Sequence, residues 1–127
     1  MSRTRRGFTV VELLVVVLIL GILAAIVLPR FSGTRDKAKL AAIKSDVRNA
    51  ELAEEAYFSD NGTYASQRQL EAEGFKTSAG STAQFHVTSS GYTVRVTDPT
   101  IDSAVRGCSV QVGGGSSMAT DGVITCP

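Results

Sequence analysis

The chain has 127 residues, 43% of them hydrophobic and 20% charged, with a formal net charge of +1. This length and composition are those of one ordinary domain. A nearly balanced charge gives no electrostatic signal for nucleic-acid binding and argues against that class of function.

The N-terminus combines a basic segment with a long apolar one. Residues 1–7 contain three arginines and no acid, and only Thr9, Glu12 and Gly21 interrupt the apolar residues 8–28. As a helix, this stretch measures roughly 31 Å, against about 30 Å for the hydrocarbon core of a bilayer. A cleaved signal peptide has a shorter hydrophobic region of about 7–15 residues. The sequence therefore predicts a membrane-spanning helix.

Glu12 is unusual in such a span. A carboxylate at the bilayer centre costs roughly 2.5–3.5 kcal/mol, and less near an edge. A plain uncleaved anchor, the main alternative, gains nothing from this residue. Glu12 lies about 6 Å along a helix from Phe8, so it needs a partner near the cytoplasmic end. An ammonium group on a new N-terminus at Phe8 would be one.

The segment Gly7-Phe8-Thr9-Val10-Val11-Glu12, followed by the apolar run, resembles the class III signal of type IV pilins and pseudopilins. The resemblance implies that a prepilin peptidase removes leader residues 1–7 by cleaving between Gly7 and Phe8, and then N-methylates Phe8. It also implies that Glu12 pairs with the Phe8 amine of a neighbouring subunit during assembly. Residues 8–28 would lie first in the membrane and then in the core of a filament.

The helix is predicted to continue beyond the membrane span, over residues 8–58. Pro29 matches the proline usual in this family and is expected to kink the helix, because it removes a backbone hydrogen bond; a simple helix stop is the alternative. Amphipathic spacing then resumes, with Ile43, Val47 and Ala50 on one face. This second half is expected to pack under a head domain of residues 59–127.

The head is predicted to be a small antiparallel sheet laid on the helix, which makes the fold class α+β. Residues 59–63 form a turn, and a short helical turn follows near Leu70. Alternating apolar residues predict strands around 85–87, 92–96 and 108–112, with a turn at Ser89-Ser90-Gly91 and a possible fourth strand at 123–126. Cys108 and Cys126 permit one intramolecular disulfide; two buried free thiols are the alternative.

The orientation of the span does not follow from charge counting. Three basic residues precede it and six follow it by residue 48, which does not favour a cytoplasmic N-terminus. A disulfide, however, belongs to an oxidising compartment, and the resemblance implies cleavage on the cytoplasmic side. The precursor is therefore expected in the inner membrane with its head outside, and the mature subunit in an extracellular surface filament.

No catalytic constellation is present, so the chain is predicted not to be an enzyme and to need no cofactor or metal. His86, the only histidine, is expected to point away from the face of Phe85 and Val87. Asp98, Asp102 and Asp121 lack the spacing of an EF-hand, although some major pseudopilins bind calcium with such residues.

The first hypothesis is a structural subunit of a type IV pilus, serving adhesion, motility or DNA uptake. Its expected partners are further copies in a helical filament, the prepilin peptidase, the inner-membrane assembly machinery and, before assembly, the membrane. A pseudopilin of a type II secretion or competence apparatus is the alternative; the cysteine pair favours the pilus, because many major pseudopilins lack it. A monomeric membrane-anchored binding module is the alternative of another class.

Overall fold

The computed structural model describes residues 7–102, 104–114 and 121–127, so the first six residues of the predicted leader lie outside it. The chain divides into two compact units, one ending at Thr34 and the other spanning Arg35–Pro127. The elements are helix α1 (Val10–Asn61), helix α2 (Gln67–Ala72) and strands β1 (Thr82–Thr88), β2 (Gly91–Thr97) and β3 (Gly107–Gly113). This is the predicted α+β fold.

Helix α1 ends three residues later than the sequence predicts, at Asn61 instead of Phe58. The Gly62 N–H donates to the Phe58 carbonyl at 2.8 Å, and the Asn61 side chain donates to the Tyr57 carbonyl at 3.0 Å. Gly62 has a φ of 71°, the left-handed conformation in which helices commonly end. The glycine, and not the polar Ser59-Asp60 pair, therefore ends the helix.

The three strands form an antiparallel sheet in the order β1-β2-β3. Ser89 and Ser90 alone make the turn between β1 and β2, whereas Gly91 is already the first residue of β2. A side chain at Gly91 would collide with the Val112 carbonyl of β3. Glycine is therefore required there by the close approach of the neighbouring strand.

The core of the second unit lies between the sheet and one face of α1. From α1 it takes Ile43, Val47 and Ala50, which are fully buried and spaced three or four residues apart as predicted. The sheet contributes the inward-facing residues of each strand: Ala83, Phe85, Val87, Tyr92, Val94, Val96, Cys108, Val110 and Val112. Burial of each large aliphatic side chain contributes about 1.5–3 kcal/mol, so this interface provides most of the stability of the unit.

The predicted fourth strand is a single bridge. Ser109 and Thr125 exchange backbone hydrogen bonds of 2.8 and 2.9 Å, and the Gly122 N–H donates to the Gln111 carbonyl at 2.8 Å. The predicted disulfide between Cys108 and Cys126 is present beside this bridge. The C-terminal segment, residues 122–127, therefore lies along the outer edge of β3.

Candidate functional site

The predicted cleavage site lies just before helix α1. Gly7, Phe8 and Thr9 precede the first helical residue, Val10. The Phe8 side chain is 91% exposed, and no atom lies within 4 Å of where a Cβ on Gly7 would stand. This geometry leaves the Gly7–Phe8 peptide bond accessible, as a peptidase requires; cleavage and methylation there remain predictions.

Glu12 is held by Thr9 in the first turn of α1. The Glu12 Oε2 atom accepts hydrogen bonds from the Thr9 N–H at 2.9 Å and from the Thr9 hydroxyl at 3.0 Å. The Glu12 N–H in turn lies 3.2 Å from the Thr9 hydroxyl oxygen. This reciprocal arrangement is a capping box, and the helix N-terminus itself favours a negative charge nearby. Thr9 therefore orients the carboxylate toward the start of the helix.

Thr9 is a site residue that the sequence predictions above do not include, although the sequence carries a local signal for it. A Thr-x-x-Glu pattern immediately before an apolar run is the pattern of a capping box. It occurs here as Thr9-Val10-Val11-Glu12.

Beyond Glu12, the exposed surface of α1 is apolar as far as Leu28. Val10–Leu28 is the one segment in the described part of the chain that is long and apolar enough to cross a membrane. Its large side chains are about half exposed or more, from Val10 at 75% to Leu28 at 71%. An apolar surface of this extent requires lipid or other helices around it.

Helix α1 continues without interruption through Pro29, whose side chain is not among the described parts of the chain. The alternative, a helix stop at this residue, is therefore wrong. The kink remains a prediction.

Two carboxylates on α1 fasten the loops of the second unit to the helix. Asp46, only 3% exposed, accepts hydrogen bonds from the Ser78 N–H and the Ser78 hydroxyl, both at 2.9 Å. Glu54, fully buried, accepts one from the Ala65 N–H at 2.8 Å. The helix thus holds two separate loops through backbone donors.

Glu54 is less well satisfied than Asp46. Its second oxygen, Oε1, and the Tyr92 hydroxyl are the two buried side-chain atoms without a hydrogen-bond partner in the described part of the chain. Burial raises the pKa of the Glu54 carboxyl, and the Ala65 N–H opposes this only in part. Burial also raises the pKa of Tyr92, with added repulsion from Glu51 and Glu55. Glu54 is therefore a costly group to ionise.

A third polar cluster fastens the loop after β2. The Lys39 ammonium donates to the Thr100 carbonyl at 3.2 Å and contacts the Thr100 hydroxyl at 2.6 Å. That hydroxyl and the Thr100 N–H both hydrogen-bond to Asp98 Oδ1. These two bonds lower the pKa of the Asp98 carboxyl, and Lys39 adds a smaller effect. Asp98 therefore helps to hold the loop after β2 in place.

The described residues show no candidate metal site. No group of three or more His, Cys, Asp and Glu side chains among them is placed to hold a metal ion. His86 is exposed on the outer face of the sheet, opposite Thr93 in the register. The geometry instead defines a class of protein: a chain with an oriented carboxylate at the start of an apolar, membrane-length helix and a small α+β head.

Comparison with known proteins narrows this class. Residues 2–28 match the family model of the prokaryotic N-terminal methylation motif. The chain is 45% identical over 71 residues to type II secretion system core protein G of Pseudomonas aeruginosa, covering 55% of this chain and 50% of the relative. It is 40% identical over 67 residues to the protein of the same name from Klebsiella michiganensis, covering 53% and 47% respectively.

A match of another kind is the type IV major pilin protein PilA of Myxococcus xanthus. It is 38% identical over 60 residues, which cover 47% of this chain and 27% of that pilin. The chain thus spans about half the length of these curated relatives, or less. The chain is therefore similar to proteins of the type IV pilin and pseudopilin family.

Proposed function

We propose that this chain is a pseudopilin, a structural subunit that polymerises through its N-terminal helix in a type II secretion apparatus. The observation that carries the proposal is the Thr9–Glu12 capping box at the start of an exposed, membrane-length apolar helix. An anchor alone would gain only a helix cap from this carboxylate, at the cost of burying a charge near the membrane edge. A polymerising helix uses it to pair with a neighbour.

The pairing follows from charge and position. Cleavage after Gly7 creates an ammonium group on Phe8, four residues before Glu12. Thr9 already directs the Glu12 carboxylate toward that end of the helix. In a low-dielectric surrounding, an ammonium and a carboxylate in contact attract strongly, and a mismatched pair is costly. Glu12 of one subunit and the Phe8 amine of another therefore set the register between their helices.

The comparisons support the pseudopilin better than the pilus subunit that the sequence analysis put first. Two of the three relatives described above are type II secretion system core protein G, at 45% and 40% identity. The surface pilus remains a second candidate because the chain is also related to a major pilin and has the C-terminal disulfide.

The proposed partners and location follow from this function. The precursor lies in the inner membrane with its head outside, the prepilin peptidase processes it, and the assembly machinery draws it into a filament with other copies. For a pseudopilin the filament lies in the periplasm, and for a pilin it reaches the cell surface.

Replacing the carboxylate tests the proposal. We expect Glu12→Leu to leave membrane insertion and leader removal intact, and to reduce filament yield at least tenfold, roughly the effect of losing one charged hydrogen bond. The measurements are mass spectrometry of the N-terminal peptide, expected to begin at methylated Phe8, and quantification of sheared or cross-linked polymer. Glu55→Leu, an exposed carboxylate on the head part of α1, is the matched control.

A different result would point to the monomeric anchored binding module. In that case Glu12→Leu would be harmless or would improve insertion, and the wild-type chain would form no polymer. An intact residue 1–7 leader on assembled subunits would also contradict the proposal.

A further inference from the structure

The two edges of the sheet differ in how they are covered. At β3, the C-terminal segment (residues 122–127) satisfies the outward backbone groups of Ser109 and the Gln111 carbonyl. At β1, Thr88 and Gly91 flank a two-residue turn and form a hydrogen-bonded pair. From Thr88 back along β1, residues that hydrogen-bond to β2 therefore alternate with residues that do not. The N–H and C=O groups of Phe85 and Val87 therefore point away from the sheet.

No hydrogen bond in the described part of the chain reaches these outward groups of β1. The strand also lacks the features by which edge strands usually avoid pairing. Its sequence, TAQFHVT, contains no lysine, no acidic residue and no proline, and its register with β2 contains no bulge. β1 is an open edge to which another strand can be added.

The C-terminal segment presents a second open edge on the opposite side of the head. Thr125 uses its N–H and C=O on Ser109, so the backbone groups of Ile124 and Cys126 face the other way. No hydrogen bond to them occurs among the described residues. Residues 122–127, GVITCP, are also uncharged.

We propose that β1 of one copy pairs with the C-terminal segment of the next copy, so that the sheet continues from head to head along the filament. The proposal rests on the proposed function, because polymerisation is what brings heads side by side. It adds a second subunit contact, made by backbone hydrogen bonds in the head, to the contact made by the N-terminal helix.

Strand direction supports the C-terminal segment of a second copy as the partner of β1. β1, β2, β3 and the C-terminal segment alternate in direction, since each pairing is antiparallel. The first and the fourth segments therefore run oppositely. Two copies that keep the same orientation, as subunits drawn from one membrane do, consequently present β1 and the C-terminal segment in antiparallel alignment. Pairing of β1 with a second β1 would be parallel in such copies.

The side chains at the two edges also complement each other. Phe85, Val87 and Ile124 pack against the core but are only partly buried in a single copy. Their side chains face the inner side of the sheet, so pairing of the two edges would bring them together and bury more apolar surface. Because the contact joins two different edges, it leaves one edge open at each end and builds an open polymer, not a closed dimer.

Photocross-linking in filaments of the full-length chain tests the proposal. A benzophenone amino acid replaces His86, which is exposed on β1, or Thr93, which lies opposite it on the central strand. We expect His86 to give covalent dimers in which it is joined to residues 122–127 of another copy. Thr93 is the matched control and should give at least fivefold fewer dimers, because its own β1 and β3 flank it.

The outcomes separate this inference from the proposed function. Filaments that form normally but yield no dimer linking residue 86 to residues 122–127 overturn the strand pairing and leave the function in place. Failure of the wild-type chain to form any polymer overturns both.

A pair of substitutions tests the backbone contact directly. Val87→Pro removes an N–H that points outward and makes no bond within the sheet, whereas Val87→Ala shortens the side chain and keeps the N–H. We expect Val87→Pro to lower filament yield roughly fivefold relative to Val87→Ala, as for one lost hydrogen bond. Thermal unfolding of the unassembled chains in detergent verifies that both fold. Equal yields from the two folded variants would contradict the proposal.

Discussion

Individual carboxylates in the head differ in the free-energy cost of their ionised form. Asp46 has two hydrogen-bond donors from Ser78, whereas buried Glu54 has one donor, the Ala65 N–H, and one oxygen with no partner in the described part of the chain. The carboxylates of Glu51, Glu55 and Glu54 each add to the raised pKa of the neighbouring Tyr92, after burial. Ionised Glu54 therefore opposes folding, while ionised Asp98 favours it.

Stability should respond to pH through Glu54 with a definite sign. Because its pKa is raised in the folded state, its contribution to stability is present below the ordinary value of 4.5 and is lost as the pH rises through the folded value. We expect the unfolding temperature of the full chain in detergent to rise as the pH falls from 7 toward 4.5. Glu54→Gln should flatten this dependence, and Glu55→Gln, an exposed neighbour, should not.

Equal slopes for the wild type and Glu54→Gln between those pH values would show that the carboxyl is not desolvated. At lower pH the opposite effect takes over. The pKa of Asp98 is lowered by its bonds to Thr100, so its contribution is present above the ordinary value of 3.8 and is lost as the pH falls through the folded value.

At the scale of elements, the C-terminal segment depends on few contacts. One backbone bridge to Ser109, one bond from Gly122 to Gln111 and the disulfide from Cys126 to Cys108 tie it to β3. An isolated bridge of this kind is weak compared with a full strand pairing, because few hydrogen bonds offset the loss of chain entropy. The covalent link therefore decides whether the segment stays in place.

Removal of the disulfide should therefore lower the stability of the head, and the C-terminal segment should be the first part to detach. The half-cystines are separated by 18 residues, and closing a loop of this size contributes about 3 kcal/mol in the chain-entropy model. We expect the double substitution Cys108→Ser and Cys126→Ser to lower the free energy of unfolding by about that amount. Amide exchange should increase first at Ser109 and Thr125. An unchanged denaturation midpoint would contradict this role.

The whole molecule combines a helix whose proposed role in assembly fits either a pseudopilus or a pilus with a head that has two open sheet edges. Deletion of the gene tests whether the protein serves in a pseudopilus or in a surface pilus. For a pseudopilin we expect loss of protein secretion into the medium, with accumulation in the periplasm, and no change in surface filaments. Restoration by the wild-type gene, but not by the Glu12→Leu gene, is the control. Loss of surface filaments with secretion intact would instead support the pilus.

Much of this protein follows from local features of its sequence. The membrane-length helix, the three alternating strands and the short helix near Leu70 are each set by residues close together in the chain, so periodicity predicts them. The pairing of the disulfide, though not its formation, follows from the presence of only two cysteines. The Thr9–Glu12 capping box is equally local, since its Thr-x-x-Glu pattern lies within four consecutive residues.

Tertiary structure decided the rest, because it brings together residues whose separation in the chain carries no signal. Lys39 meets Thr100 across 61 positions and Asp46 meets Ser78 across 32, and no spacing rule pairs them. Burial of Glu54 beside Tyr92 likewise depends on how β2 crosses the helix. The edge of the sheet that is covered also depends on which strand the C-terminal segment pairs with, and here that strand is β3. The sequence by itself determined the signal, the span and the fold class, and the packed head decided how its loops are held and which edges remain open.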